Sequence, residues 1–327
     1  MKILGENFNV IDVFNVDMTV PDCFVLNKNK IGKGNGEAKL YVASKDTMRA
    51  FYGKEGFVAH CFLLKEDLKQ YMNAVKSEYF KPIYDYRGKD EMKDLWKERM
   101  AKIEALDDII FFDVYDQDQI AGPRGYVNSN DLGYKLIREI SLPLISYISV
   151  LSVSPAPGTT YFYWKLFVDF DKLDPENALV FNYGKEKEEE VVIEKVPPKK
   201  DDEISRARVG QGKYREQLIE ECIYCPITLI THPTLLIASH IKPWAHSNDK
   251  EKIDPKNGLL LSPLYDRLFD QGLITFTNDK HMRISIWLDE RNRKRLDLVD
   301  NKRYDRLPFD EERLVYLDYH RSIIFKG

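Results

Sequence analysis

The stretch from Lys185 to Glu203, Lys-Glu-Lys-Glu-Glu-Glu-Val-Val-Ile-Glu-Lys-Val-Pro-Pro-Lys-Lys-Asp-Asp-Glu, divides this chain in two. Its like charges repel, Pro197-Pro198 removes two backbone donors, and almost no core-forming side chains lie outside Val191–Ile193. An exposed linker over 186–204 is the natural reading, with a solvated helix followed by a turn as the alternative. The 327 residues then separate into 1–185 and 205–327, each long enough for its own core. Of six histidines, only His60 precedes the linker.

Composition narrows the class. With 43% hydrophobic and 31% charged residues, the chain is globular in type, not disordered or fibrous. No apolar run approaches the roughly 18–20 residues that span a bilayer. Met1–Val10 lacks the apolar core of a signal peptide, and four cysteines form no disulfide framework, so a reducing, cytoplasmic setting without membrane is expected. The net charge of -4 advertises no nucleic acid. From Asp201 to Gly327 there are 21 Lys+Arg and 21 Asp+Glu, so any binding to DNA must come from local patches.

The first region reads as mixed α/β. Segments 39–44, 108–115, 144–151 and 160–168 are rich in β-branched and aromatic residues, as strands are. Helical apolar spacing runs through Leu63–Val75 and Met92–Leu106. Gly32–Glu37 lacks the Gly-Lys-Ser/Thr ending of a phosphate loop and reads as a turn. Tyr79, Phe80, Tyr84, Tyr86 and Tyr161–Trp164 are expected in the core, with base stacking as the functional alternative.

The chemistry lies beyond Arg208. Leu235–Ser239 reads as a short strand delivering His240, and Ser247–Lys256 as a polar loop turned at Asp254-Pro255. Asn257-Gly258 opens a second strand, Leu259–Leu261. Ser262-Pro263 then suits a helix N-cap followed by proline at the first position. Asp266 and Asp270, four apart, share a face of that helix. A lone histidine or an i, i+4 acidic pair is usually structural; their order and spacing here are more specific.

The segment 208–326 resembles the HNH, or ββα-metal, endonucleases, in particular a restriction-endonuclease-like subgroup. The resemblance is carried by Gly210, Gln211, Tyr214 and Arg215, then Cys225 and Thr228, then Ala238, His240, Ile241, Pro243 and Trp244. It continues through Asn257, Gly258, Leu259, Leu261, Asp266, Phe269, Asp270, Gly272 and Leu273, and closes on Tyr319-His320-Arg321 with Phe325. Ser239 stands where many members place Asp or His, and Asp266 where many have His.

The resemblance implies an α+β chain, with an N-terminal recognition domain and a C-terminal ββα-metal nuclease domain that cleaves DNA phosphodiesters. His240 would be the general base and Asn257 the residue that orients its loop. Asp266 would be the first metal ligand, with Asp270 as a second ligand or a brace, and the ion a hard one, Mg²⁺ or Mn²⁺. His232 and His246 are weaker ligand candidates. Lys242 and Arg267 would hold phosphates, and the cluster Arg291, Arg293, Lys294 and Arg295 would contact the DNA backbone. Cys222-x-x-Cys225 lacks the second pair a structural Zn²⁺ needs, so small buried hydrophobes are expected instead.

The expected partner is double-stranded DNA, its sequence or a modified base being read by the N-terminal domain in a restriction or phage-defence enzyme. A homodimer would supply the second site for duplex cleavage. A ligand-activated defence nuclease and a non-cleaving DNA-binding module on the same fold are the alternatives.

Overall fold

β-Branched and aromatic runs become the strands of the first of two compact units, Met1–Leu173 and Asp174–Gly327, in the computed structural model. Residues 1–14, 17–26, 37–86, 92–117, 122–173 and 214–327 are described. The linker expected at 186–204, the glycines at 32–36, and Gly210 and Gln211 lie outside them.

In chain order the first unit contains β1 (Lys2–Ile3), β2 (Glu6–Asn7), β3 (Asn9–Val13), β4 (Met18–Thr19), β5 (Leu40–Ser44) and α1 (Lys45–Tyr52). Next come β6 (Val58–Leu64), α2 (Lys65–Ala74), α3 (Lys76–Phe80), α4 (Met92–Glu104), β7 (Ile109–Asp116) and β8 (Arg124–Asn128). The unit closes with α5 (Leu132–Ile140), β9 (Ser146–Ser154), β10 (Tyr161–Val168) and the single turn α6 (Phe170–Leu173).

The main sheet runs β3-β9-β10-β6-β7-β8-β5, with β4 also on β9. Among the described residues, only β10 and β6 pair in parallel. Every residue of β9 is buried, its serines included. Ser146 bonds the Tyr71 hydroxyl (2.7 Å) and Ser149 donates to Asp17 (2.6 Å), so the hydroxyls enter the core satisfied.

The helix expected over Leu63–Val75 begins at Lys65, because Phe62–Leu64 finish β6 opposite Phe111, Ile110 and Ile109. Among the aromatics expected in the core, Tyr79, Tyr86, Phe162, Tyr163 and Trp164 are buried. Phe80, Tyr84 and Tyr161 are half-buried instead, while Tyr41 and Phe111 lie exposed on the sheet.

The second unit is described from α7, residues 214–222, onward. After it come β11 (Ile237–His240), β12 (Gly258–Leu261), α8 (Pro263–Asp270), β13 (Ile274–Phe276), β14 (Met282–Ile284), α9 (Glu290–Arg295) and α10 (Glu311–Tyr319). β11 and β12 are antiparallel, with His240 opposite Gly258 and Ser239 opposite Leu259. Leu259–Leu261 and Phe269 are wholly buried with Tyr214, Leu218, Cys225 and Leu317, so hairpin, α7, α8 and α10 share one core. Strand β11 starts two residues later than expected, because Pro233–Leu235 form a 3-10 turn.

Candidate active site

The antiparallel hairpin places His240 at the last position of β11, where the chain leaves for the loop 241–257. That ring is partly buried, with one face stacked on Tyr214 (centroids 4.2 Å, planes 13° apart) and Trp244 edge-on at 5.5 Å. Its Nε2 lies 2.9 Å from the Lys252 carbonyl. A carbonyl can only accept, so Nε2 carries the proton and Nδ1 is the basic nitrogen. Burial drives the imidazole pKa down to about 4, against a smaller rise from the Lys252 carbonyl, and the ring is neutral at pH 7.

Asn257 is 0% exposed and forms the knot of the loop. Its Oδ1 accepts from the Lys242 N–H (2.8 Å), while Nδ2 faces the carbonyls of Glu251 (3.0 Å) and Lys242 (3.2 Å) and the Ser247 hydroxyl (3.2 Å). These partners leave one orientation of the amide. The Glu251–Lys252 turn that presents the His240 acceptor is thereby tied to the start of β12.

Asp266 and Asp270 project from α8, one turn apart. Asp266 is 3% exposed, and Asp270 receives the Ser239 hydroxyl at 3.3 Å. The structure thus brings Ser239, the neighbour of His240, against a helix carboxylate. Ser262 opens α8, but its side chain makes no capping bond; Pro263 at the first turn sets the helix start.

Among the described residues, no group of three or more His, Cys, Asp or Glu is placed to hold a metal ion. Asp266, Asp270 and Ser239 offer oxygen donors alone. Such a set fits a hard ion that retains water and completes its shell with substrate phosphate.

Other expected site residues lie elsewhere. Lys242, expected on phosphate, holds its ammonium on both Glu251 oxygens (2.8 and 2.7 Å), because the loop folds Glu251 back beneath it. Arg293 donates to the carbonyls of Leu288 and Ser285 (2.7 and 2.6 Å), which makes it a structural staple of α9. Lys294 pairs with Glu290 across one turn (2.6 Å). Arg267, Arg291 and Arg295 are exposed. His246 is bonded through Nδ1 to the Tyr319 hydroxyl, and His232 is an exposed partner of Thr234. Cys225 is buried with Sγ 3.9 Å from the Ser262 hydroxyl, and Cys222 is a free thiol.

Some supports had no sequence signal. Arg313 on α10 is fully buried and donates to the carbonyls of Gly258 (3.0 Å), Pro255 (3.2 Å) and Pro308 (2.5 Å) and to Glu221 on α7 (3.2 Å). Lys256 joins Glu221 to Asp310, each at 2.7 Å. The base of the loop is therefore bolted to both flanking helices. A charged loop such as 247–256 could have hinted at internal pairing, but Arg313 sits too far along the chain for spacing to find it.

This strand-loop-strand-helix, with a neutral imidazole at the end of its first strand and two carboxylates on its helix, agrees with the family comparison. Residues 225–277 match the HNH_2 family model, described as HNH endonuclease. The second unit carries an HNH endonuclease domain, and HNH nucleases act on DNA, generally with a divalent metal. No curated protein matches the chain. Among the described residues, no helix is long and apolar enough to cross a membrane.

Proposed function

We propose that this chain is a metal-dependent DNA endonuclease of restriction or phage-defence type, whose first unit selects the DNA. The observation that carries the catalytic part is the His240–Lys252 bond, which fixes the proton on Nε2 and leaves Nδ1 to take one from water. Asn257 holds the carbonyl side of that bond in place. Asp266 and Asp270, with Ser239 beside Asp270, would hold the ion. When bound, a divalent ion supplies positive charge against the phosphodiester and its leaving oxygen. Exposed Arg267, Arg291 and Arg295 are the proposed phosphate contacts.

The recognition role of the first unit is supported by an aromatic pair, Tyr41 exposed and Tyr126 half-buried. Tyr41 and Tyr126 lie 5.7 Å apart across β5 and β8, with Arg124 over Tyr41 (5.9 Å) and Lys39 over Tyr126 (5.3 Å). Aromatic faces flanked by cations suit nucleobases and phosphates.

The test is nicking of supercoiled plasmid by the full chain with Mg²⁺ or Mn²⁺, beside His240→Ala and Asp270→Asn. His240→Ala should be slower by about 10²-fold or more. Equal rates in wild type and His240→Ala would remove the base. Matched modified and unmodified DNAs test the first unit in the same digest. If neither DNA is cut in either metal, the fold serves as a binding module instead.

A further inference from the structure

Tyr214 lies on α7, outside the residues that match the HNH family model. It is nonetheless in direct contact with His240. One hydrogen bond, from Nε2 to the Lys252 carbonyl, fixes the position of a ring nitrogen but leaves the imidazole free to tilt about that bond. The missing constraint is a flat wall, and Tyr214 is one, its ring parallel to the imidazole within 13° at 4.2 Å.

The wall is itself fixed. Its hydroxyl donates to the Asn257 carbonyl (3.1 Å) and lies 3.4 Å from the Ser239 carbonyl, bridging β11 and the residue just before β12. Next in sequence, Arg215 donates to the carbonyls of Leu236 (2.7 Å) and Pro233 (2.6 Å), just ahead of β11. At the far end of α7, Glu221 holds Lys256, the residue before Asn257. Space is reserved as well: a Cβ at Gly258 would collide with the Tyr214 hydroxyl.

We propose that Tyr214 is a positioning residue for His240: its ring sets the plane of the imidazole and so the direction in which Nδ1 points. The proposal rests on the nuclease reading for its kinetic consequence only, because the ring orientation can be read without catalysis.

The experiment compares full-length wild type with Tyr214→Phe and Tyr214→Leu, and with Tyr214→Met should the leucine variant not fold. Tautomer state is read from long-range ¹H–¹⁵N imidazole correlations, with His320, buried elsewhere in the unit, as internal control. Plasmid nicking gives kcat and KM. Tyr214→Phe keeps the flat face, so the Nε2–H signature of His240 and a kcat within about threefold of wild type are expected. The leucine or methionine variant fills space without a flat face. Its His240 nitrogens should shift toward averaged values while those of His320 stay put, and kcat should fall by about tenfold or more with KM nearly unchanged.

Wild-type His240 nitrogen shifts in the leucine or methionine variant would overturn the proposal. So would an equal loss of kcat in the phenylalanine variant, which would assign the effect to the hydroxyl bridge. If His240→Ala cuts as fast as wild type, the nuclease reading fails, while the nitrogen shifts still decide the role of Tyr214.

Discussion

Both carboxylate oxygens of Glu251 hold the ammonium of Lys242, at 2.8 and 2.7 Å, and the same ammonium lies 5.2 Å from the centre of the Tyr319 ring. The charge two residues after His240 thus closes the loop from within. Burial raises the Glu251 carboxyl, but the bonds from Lys242 and the Asn248 N–H outweigh it and the net shift is downward. Lys242→Met should therefore leave the salt dependence of DNA affinity as in wild type. Arg291→Ala with Arg295→Ala should flatten that slope by about one to two, as lost phosphate contacts do. Fluorescence anisotropy across a salt series measures both. A slope about one unit shallower in Lys242→Met would return the phosphate role to that lysine.

What was legible in the sequence was local. Asn257-Gly258 before three leucines, then Ser262-Pro263, marks the second strand and the helix start, and β12 and α8 lie there. The pairing of Lys242 with Glu251 was not legible, because nothing in a polar loop says which acid returns to which base. Leu63 and Leu64, expected in a helix, finish a strand for a related reason: an apolar run fits a helix face and a buried strand equally well until the partner β7 is known. Arg313 carries no local pattern at all, since its partners come from three separate segments.

Gly258 faces His240 across the hairpin, and a side chain there would meet the Tyr214 hydroxyl and sit 2.9 Å from Leu218 Cδ2. Gly258→Ala should cost about 1–3 kcal/mol, as overpacking in a closed core does. Adding Tyr214→Phe removes the nearest atom of the clash. The double variant should thus be more stable than Gly258→Ala alone, by denaturant melts of all four proteins. Strict additivity would mean that the backbone yields elsewhere.

His320 stacks on Phe269 at 3.7 Å, donates from Nε2 to the Phe269 carbonyl (3.0 Å), and meets the Thr275 hydroxyl at Nδ1 (2.9 Å). Burial, with the nearby Arg321 charge, lowers its pKa to about 3, although the Phe269 carbonyl acts the other way. An unfolded histidine titrates near 6.5, so below that pH the unfolded chain takes up a proton that the fold refuses. Stability from this group is present above about pH 6.5 and falls by about 1.4 kcal/mol per unit as pH drops toward 3. His240 and His246, each lowered to about 4, act in the same direction. His320→Gln should melt earlier at pH 7 and show a shallower loss of stability between pH 6.5 and 4.5. An unchanged pH slope would mean that His320 is protonated in the fold.

Asn257 offers the sharpest test of the loop, because its amide both accepts and donates in a site with no water-facing surface. Asn257→Ala strands the Lys242 N–H and the Glu251 carbonyl, at a cost of about 1–3 kcal/mol. Asn257→Asp keeps an acceptor for the Lys242 N–H but turns an anion toward two carbonyls. Burial and those carbonyls raise the pKa of the introduced carboxyl above its unfolded value near 3.9. The protonated form can donate again, so this variant should gain stability relative to wild type as pH falls through the raised pKa. Asn257→Ala should show no such recovery. Melting both variants from pH 7 down to 4.5 separates the two outcomes, and parallel pH profiles would show that the amide is not held by the Lys242 and Glu251 backbone.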